Sequence, residues 1–411
     1  MRTQARPRFM FLGTVLLAFL AGGCDPSAGS GPADTSSGKD TGPVSGLNAL
    51  KAQLLSDAAT GVMLPALAAF VVEATALKVA TQGHAAVPTA ATLVAAQDAW
   101  RSAMAAWECL EVMQVGPAGV MGEVLGGDDR RDGIYSWPLT NPCRVDQETL
   151  ETAYATPVDL AQESVNVRGL DAVEYLLFHP AEGNACKVNS GINQEGTWVA
   201  MGSELFPRQA RYAASAASLI LEEALALQAR WSPTGGDFSA QLHNAGSQSS
   251  TYPSQQEALN ALSNALFYIE KVTKDMKLGE PLGLIGCDTD TCPEALESPW
   301  AHASKEAVLA NIDGVKWLLE GGIDGAPGTG FIDLLEAVGA ADLAGEMVTK
   351  LAAARAAVSA VEGTFAAALV SDQPAMDGAF NALKDFTDLF KTQFLSVLDL
   401  AIPSRAASDN D

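Results

Sequence analysis

The sequence is poor in histidine and in basic residues, and these two shortages exclude whole classes of function. Its 411 residues include four histidines, and none of them forms the His-Glu-x-x-His motif of zinc peptidases. Lysine and arginine number 25 against 49 acidic residues, which gives a formal net charge of −24. Because nucleic-acid binding needs a dense cationic surface, we expect no nucleic-acid partner.

Other signatures are also missing. The cysteines form no Cys-x-x-Cys pair, and they show no zinc-binding spacing with histidine. The glycine-rich stretch 321–330 lacks the lysine of a phosphate-binding P-loop, and no serine occupies a nucleophile elbow. Strand patterns are scarce as well. The sequence therefore offers no motif for these classes of site.

Residues 1–24 have the pattern of an export signal. Three arginines precede the apolar run Phe9–Leu20, which is too short to span a bilayer as a mature helix. Small residues at 21–23 then precede Cys24. This arrangement resembles a bacterial lipobox in which Cys24 is the lipidated residue. The alternative is a cleaved, soluble secreted protein. We predict an exported lipoprotein of the bacterial cell envelope, anchored to a membrane through Cys24 and facing the periplasm or the cell surface.

The segments at the two ends of the mature chain have almost nothing to bury. Residues 25–45 are rich in Gly, Ser, Pro, Asp and Thr, a composition typical of a flexible tether. Residues 404–411 form a short acidic tail. The folded domain is therefore predicted to cover 46–403.

The five cysteines that follow Cys24 are expected to lie in an oxidising compartment, because the chain is predicted to be exported and disulfides persist there. Cys287 and Cys292 enclose four residues and are expected to close a small loop. Cys143 and Cys186 lie in loop-like sequence and are the other expected pair, although sequence alone does not fix connectivity. The remaining cysteine, at 109, lies in a helical pattern and is expected to be a buried free thiol.

Helical periodicity recurs from end to end and predicts an all-α fold. The predicted helices cover 47–80, 89–114, 147–164, 168–178, 203–230, 255–277, 305–319, 342–369 and 379–400. The stretch 232–253, rich in Ser, Gly and Asn, divides these helices into two groups. Long amphipathic helices pack as bundles. We therefore predict two helical-bundle halves, 46–231 and 254–403, an arrangement that allows a continuous core.

Three carboxylates occupy positions that are predicted to face inward. In helix 89–114 the apolar stripe of Trp and Met side chains continues onto Glu111, whereas Glu108 lies off the stripe and is expected to be solvated. Asp171 and Glu174 share one face of "RGLDAVEYLLF", a stretch with almost no other polar residue. Burying one unpaired carboxylate is costly, and burying two neighbours costs more. A cation, a shared proton or an arginine must compensate for them.

Two interpretations of these carboxylates remain open. Facing helices of bundle proteins build metal sites from inward carboxylates, so Asp171, Glu174 and Glu111 are candidate ligands for a hard or borderline cation. In the structural alternative, Arg168 pairs with Asp171, and Glu174 bonds to Trp or Tyr donors or to a loop backbone. Trp137 precedes a proline in a turn-rich segment, where it is a candidate pocket residue or a packing residue.

Together these stretches resemble the imelysin family of bacterial envelope proteins. The family motif Gly-x-His-x-x-Glu, followed by sequence like Tyr-Leu-Leu-Phe, reads here "GLDAVE" from Gly169 to Glu174, followed by "YLLF". Further matches are "AWRSAMAAWECLE", "SWPL", "KLGEPLG" and "SKEAVLANIDGVKWLLEG". They occur in the family's order and span nearly all of 46–403.

The resemblance implies two bundle-like halves with the motif near their interface, a link to the acquisition of iron or another metal, and a metallopeptidase label. By position, Asp171 replaces the motif histidine, Glu174 is the motif glutamate, and Glu111 matches the glutamate after the family's conserved tryptophan. A carboxylate in place of an imidazole favours harder cations or loss of the metal. It also weakens the peptidase label, since catalytic zinc sites usually contain histidines.

The leading hypothesis is a lipid-anchored protein that binds a divalent or ferric ion, or a small ligand, between its halves. Its acceptors would be the three inward carboxylates, with Arg168, Gly169 and Trp137 shaping the pocket. The alternatives are a non-catalytic scaffold that docks an unidentified envelope protein and an imelysin-type metallopeptidase.

Overall fold

The computed structural model describes residues 43–179 and 183–403, which contain helices and connecting loops and no strand. The all-α prediction is confirmed. The export signal with Cys24, nearly all of the tether and the acidic tail 404–411 lie outside the described residues.

The α-helices are numbered in chain order. They are α1 Pro43–Asp57, α2 Leu64–Ala86, α3 Ala90–Glu111, α4 Arg130–Ile134, α5 Pro142–Glu151, α6 Pro157–Leu160, α7 Leu170–Phe178, α8 Gly191–Gln194, α9 Thr197–Ala200, α10 Leu205–Trp231, α11 Phe238–His243, α12 Gln255–Leu266, α13 Ser304–Glu320, α14 Phe331–Ala337, α15 Ala341–Ala360, α16 Phe365–Ser371, α17 Gln373–Leu389 and α18 Leu395–Val397. The π-helical segments are Ala58–Met63, Ile269–Gly279 and Phe390–Phe394, and short 3₁₀ turns occur at Gly116–Ala118, Val165–Val167, Gly202–Glu204 and Pro293–Ala295.

Two predicted helices are each broken in two. The helix predicted over 147–164 divides into α5 and α6, because Pro157 starts α6 and a residue before proline avoids the helical conformation. The helix predicted over 342–369 divides into α15 and α16, which meet at a bend of 78°. Gly363, with a φ of +67°, lies in the bend and has the left-handed conformation that ends helices. Both differences are local and leave the bundle architecture unchanged.

One hydrophobic core runs through both predicted halves, from Leu54 in α1 to Leu400 near the end of the chain. Helix α3 is central to it, since α3 packs on α2 and α7 of the first half and on α13 of the second. Gly314 allows α13 to approach α3 closely: a Cβ atom there would lie 2.2 Å from the carbonyl oxygen of Cys109. The junction of the two halves is therefore a tight contact between α3 and α13.

The helical segment Gly46–Ala86 is long and apolar enough to cross a membrane by length and composition alone. Within it, however, Leu67, Phe70 and Leu77 are fully buried in the protein core. Core helices of soluble proteins have this same composition, so we assign the segment to the bundle.

The described residues contain two disulfides, and they join the pairs expected from the sequence. Cys143, at the start of α5, is bonded to Cys186 in the loop after α7, and Cys287 is bonded to Cys292. Cys109 is a free thiol, as expected, but it is only half-buried.

Candidate functional site

The position of helix α7 depends on Gly169, which precedes its first residue. Gly169 has a φ of +97°, a conformation that side chains disfavour. A Cβ atom at Gly169 would lie 2.9 Å from Oδ1 of Asp171 and 2.9 Å from the carbonyl oxygen of Ile134. The helix that follows is buried on nearly every side, including Asp171 and Glu174. The motif glycine therefore lets the chain turn directly into a buried helix.

Asp171 is held by hydrogen bonds from neutral donors. Its Oδ2 accepts from the hydroxyls of Ser136, at 2.6 Å, and Thr140, and its Oδ1 accepts from the backbone N–H of Ala172 at 3.0 Å. Burial raises the pKa of Asp171, and these hydrogen bonds oppose the rise. Arg168 instead donates to the carbonyl oxygen of Ala161 at 2.9 Å. The ion pair that was considered between Arg168 and Asp171 is not found among the described residues.

Glu174 is bonded to a loop backbone, one of the partners considered for it from the sequence. Its Oε1 accepts from the backbone N–H groups of Trp300, at 3.1 Å, and Ala301, at 2.9 Å. Burial raises the pKa of Glu174 to about 8, and the nearby carboxylates of Glu297 and Asp171 add to the rise. Glu174 is therefore mostly protonated at neutral pH.

The raised pKa of Glu174 predicts a specific pH dependence of stability. The folded protein keeps the Glu174 proton up to about pH 8, whereas the ordinary pKa is 4.5. The resulting stabilisation is complete below pH 4.5 and is lost as the pH rises towards 8. We expect the urea midpoint to fall over this range, and to fall less in Glu174→Gln. Asp146→Asn is the control: because burial raises the pKa of Asp146 only to about 6, it should flatten only the lower part of the curve. Equal slopes in the wild type and Glu174→Gln would contradict the prediction.

A cavity of about 420 Å³ is lined by Asp171 and Glu174 together with Trp137, Trp300 and Glu297. Trp137 thus lines a pocket, one of the two roles expected for it. Neither Arg168 nor Gly169 is among the described residues that line this cavity. Gly169 acts through the backbone of α7.

A second cluster of carboxylates includes Glu297, which also lines the cavity. Glu108, Glu111 and Glu297 each place one oxygen within 4.8 Å of the other two, and all three side chains are fully buried. We call these three residues the carboxylate triad. The expectation that Glu108 would be solvated is wrong, because α13 covers that side of α3, where Asn311 donates to the Glu108 carbonyl oxygen at 2.8 Å.

Each carboxylate of the triad has one oxygen that accepts a hydrogen bond from a neutral side chain or from a guanidinium group. These contacts are Arg131 to Oε1 of Glu111 at 2.6 Å, Tyr135 to Oε1 of Glu297 at 2.9 Å and Asn311 to Oε2 of Glu108 at 2.7 Å. The other oxygens, namely Oε1 of Glu108, Oε2 of Glu111 and Oε2 of Glu297, are buried and accept no hydrogen bond from the described residues. Buried acceptors without partners are costly, so this arrangement is poised to bind a donor or a cation.

Lys277 supplies a positive charge to the triad from the long π-helix Ile269–Gly279. Its Nζ lies 2.5 Å from Oε2 of Glu108, 2.7 Å from Oε1 of Glu297 and 3.7 Å from Oε2 of Glu111. Burial disfavours the ammonium, but these carboxylates outweigh burial and raise the pKa of Lys277 well above its ordinary value. Lys277 is therefore a buried ammonium ion. π-Helical segments are rare and are frequent at functional sites.

The charges of the whole site do not balance. Five buried carboxylates, two at the cavity and three in the triad, face one lysine and one arginine. Burial raises the pKa of Asp171, Glu174 and Glu108 and so favours their protonated forms, and neighbouring carboxylates add to the rise for Glu174 and Glu108. A cation would relieve the surplus of negative charge. Carboxylate oxygens are the ligands that hard cations prefer, so the donor set fits such an ion.

Glu111 was predicted from the sequence to be a site residue, but the residues that surround it in the triad were not. The spacing "ECLE" places Glu108 and Glu111 three apart on neighbouring positions of one helix, a signal that was available. Glu297 and Lys277 come from a loop and a π-helix, where neither periodicity nor motif spacing predicts which way a side chain points. Tertiary contacts alone bring these residues to α3.

The family of this chain follows from comparison with known proteins. The family model described as Imelysin (peptidase M75) matches residues 63–391. The chain belongs to the imelysin family. The resemblance that was inferred from the "GLDAVE" motif is thereby confirmed.

Named relatives of this imelysin chain include iron-regulated proteins. It is 29% identical over 223 residues to "Iron-regulated protein A" of Synechococcus elongatus, an alignment that covers 54% of this chain and 52% of the relative. The chain thus matches about half the length of that curated relative.

Two solved structures share the imelysin fold with this chain. One, from Parabacteroides distasonis, is described as an iron-regulated protein A precursor; it has a TM-score of 0.67 at 17% identity and covers 89% of this chain and 97% of its own. The other, an imelysin-like protein from Psychrobacter arcticum, has a TM-score of 0.64 at 19% identity. Its alignment covers 86% of this chain and 96% of the Psychrobacter chain. At these identities the likeness establishes the fold alone.

Proposed function

We propose that this imelysin-family protein is an exported, lipid-anchored envelope protein that binds a metal ion on buried carboxylates and serves metal acquisition, with iron as the leading candidate. The observation that supports this most directly is the carboxylate triad, in which three buried oxygens have no hydrogen-bond partner in the part of the chain that the structure describes. The names of the relatives, two of them iron-regulated proteins, favour iron as the cargo.

The residues proposed to hold the ion are Glu108, Glu111 and Glu297. Asp171 and Glu174 have a different role in this proposal, because Asp171 already accepts three hydrogen bonds and Glu174 is mostly protonated at neutral pH. They line the cavity that Glu297 shares, so their carboxyl oxygens would meet a cation that enters through this cavity towards the triad.

Catalysis is not part of this proposal. The triad and the residues that line the cavity supply carboxylates, tryptophans and a threonine, whereas catalytic zinc sites are usually built with histidine. No observation on the described residues favours peptide hydrolysis over cation binding. The scaffold function likewise stays a prediction from the sequence.

Metal analysis and calorimetric titration test the proposal. A chain of residues 42–411, which contains the described helical bundle, would be titrated with iron, copper, zinc and calcium. We expect Glu111→Gln/Glu297→Gln to abolish binding while the protein remains folded. Glu270→Gln is the matched control, since Glu270 is an equally buried glutamate that pairs with Lys391 outside the triad.

A parallel double variant, Asp171→Asn/Glu174→Gln, locates the ion. Binding that survives this change but not Glu111→Gln/Glu297→Gln supports the triad as the site. The reverse pattern would move the ion to the cavity carboxylates. A folded wild-type protein that binds none of the four metals would overturn the proposal.

A further inference from the structure

We propose that Lys277 is the resident counter-ion of the carboxylate triad, and that an incoming divalent metal ion displaces its ammonium group into a neighbouring cavity beside Trp137 and Tyr268. This inference rests on the proposed function and adds how the native site accepts a cation.

The first position of the ammonium group is the one seen in the structure. Nζ of Lys277 lies 2.5 Å from Glu108 and 2.7 Å from Glu297, and no part of the Lys277 side chain is exposed. A metal ion on these carboxylates would need oxygens at about 2.0 to 2.6 Å. The ammonium group and the ion would therefore compete for the same carboxylates from nearly the same place.

Charge also opposes simultaneous occupancy. Carboxylates that bind a metal ion are ionised, and three ionised carboxylates beside Arg131 and Lys277 leave the triad with one surplus negative charge before the ion's own charge is counted. A divalent ion added beside the ammonium would reverse the sign, whereas a divalent ion that replaces the ammonium makes the triad and Arg131 neutral together. In a buried environment the neutral arrangement is strongly favoured.

A second position is available because the two aromatic rings that face the ammonium group also line a cavity of about 200 Å³. It is lined by Trp137 and Tyr268, together with Arg131 and Asp132. Nζ of Lys277 already lies 5.8 Å from the Trp137 ring centroid and 5.4 Å from that of Tyr268, so both rings can attract the displaced cation. The Tyr268 hydroxyl is buried, has no hydrogen-bond partner among residues 43–179 and 183–403, and can accept a hydrogen bond from the ammonium group.

The decisive variant is Lys277→Met, which keeps much of the side-chain length and removes the charge. Without its metal, Lys277→Met is expected to melt at a lower temperature than the wild type, because three carboxylates lose their counter-ion. Calorimetry with Mn²⁺ is expected to show at least tenfold tighter binding, since the competitor is gone. Saturating Mn²⁺ should then raise the melting temperature of Lys277→Met more than that of the wild type.

Lys274→Met is the matched control. Lys274 is a nearly fully buried lysine on the same π-helix, but it pairs with Glu270 and Asp275 outside the triad. Its removal should leave Mn²⁺ affinity within twofold of the wild type. Unchanged or weaker Mn²⁺ binding by a folded Lys277→Met would overturn the displacement proposal, even if the wild type binds Mn²⁺ and the proposed function stands.

Crystals of the unmodified protein with Mn²⁺ give a second test, which decides the matter if Lys277→Met does not fold. We expect the crystals to show that Nζ of Lys277 has moved out of hydrogen-bond distance of Glu108 and Glu297 and lies near Tyr268. Nζ between the carboxylates beside a bound Mn²⁺ would overturn the inference. Binding by Lys277→Met alone would mean that Lys277 blocks the triad and is not displaced, which would overturn the displacement proposal and also contradict the proposed function of the native chain. No binding by either protein would overturn both.

Discussion

Replacing Arg131 with methionine is expected to lower the free energy of unfolding by about 3–5 kcal/mol, because it leaves a buried carboxylate without its partner. Arg131 holds Glu111 through Nη2 at 2.6 Å and Nε at 3.0 Å, and the Glu111 side chain is fully buried. The same guanidinium donates to the carbonyl oxygen of Trp137 at 2.7 Å. The variant therefore also loosens the segment that lines the cavity.

Arg355→Met is the matched control for Arg131→Met. Arg355 makes an equally short ion pair with Asp313, at 2.7 Å, but these side chains are 47% and 29% exposed. Exposed pairs contribute about 0–1 kcal/mol. Urea denaturation followed by circular dichroism would compare the two variants. Similar losses in both would mean that burial of Glu111 does not set the cost.

Removal of the Cys143–Cys186 disulfide has the second large expected effect. This bond closes a loop with a sequence separation of 43, so in the chain-entropy account its loss destabilises the protein by about 4 kcal/mol. The bond ties α5 to the segment after α7, and Cys186 packs on a small separate cluster of Ile192, Trp198, Met201 and Leu205. We expect this segment to become protease-sensitive first in Cys143→Ser/Cys186→Ser.

The second disulfide provides the comparison. Cys287 and Cys292 are separated by 5 positions, so the same account gives a loss of about 2 kcal/mol for Cys287→Ser/Cys292→Ser. Guanidinium denaturation under non-reducing conditions would measure the difference. Equal losses, or a larger loss at the shorter loop, would contradict the loop-entropy explanation.

Much of this fold could be predicted because its helices are long and amphipathic. The stripe of Trp100, Met104 and Trp107 is buried as the periodicity predicts, and Glu111 continues it. Breaks between helices were harder to predict, because the bend between α15 and α16 interrupts an apolar pattern that itself continues. The division into two halves conceals a shared core, since a linker's composition does not report which helices pack across it.

The candidate site was only partly predictable, for a physical reason. Asp171 and Glu174 were found because charge in an apolar helix is conspicuous. Glu108 was placed in solvent because the face of α3 that carries it is polar, and only the approach of α13 buries that face. A single-helix pattern assumes one buried side, so it fails for a helix that is covered from several directions.

The close approach of α13 to α3 has a consequence for how this site can change in evolution or design. Gly314 carries no charge and touches no carboxylate oxygen, yet any larger residue there must push α13 away from Cys109. Asn311, one turn earlier on α13, would move with it and leave Glu108 without that donor. A mutational survey of this site that varied only charged positions would therefore overlook the residue that sets the spacing between them.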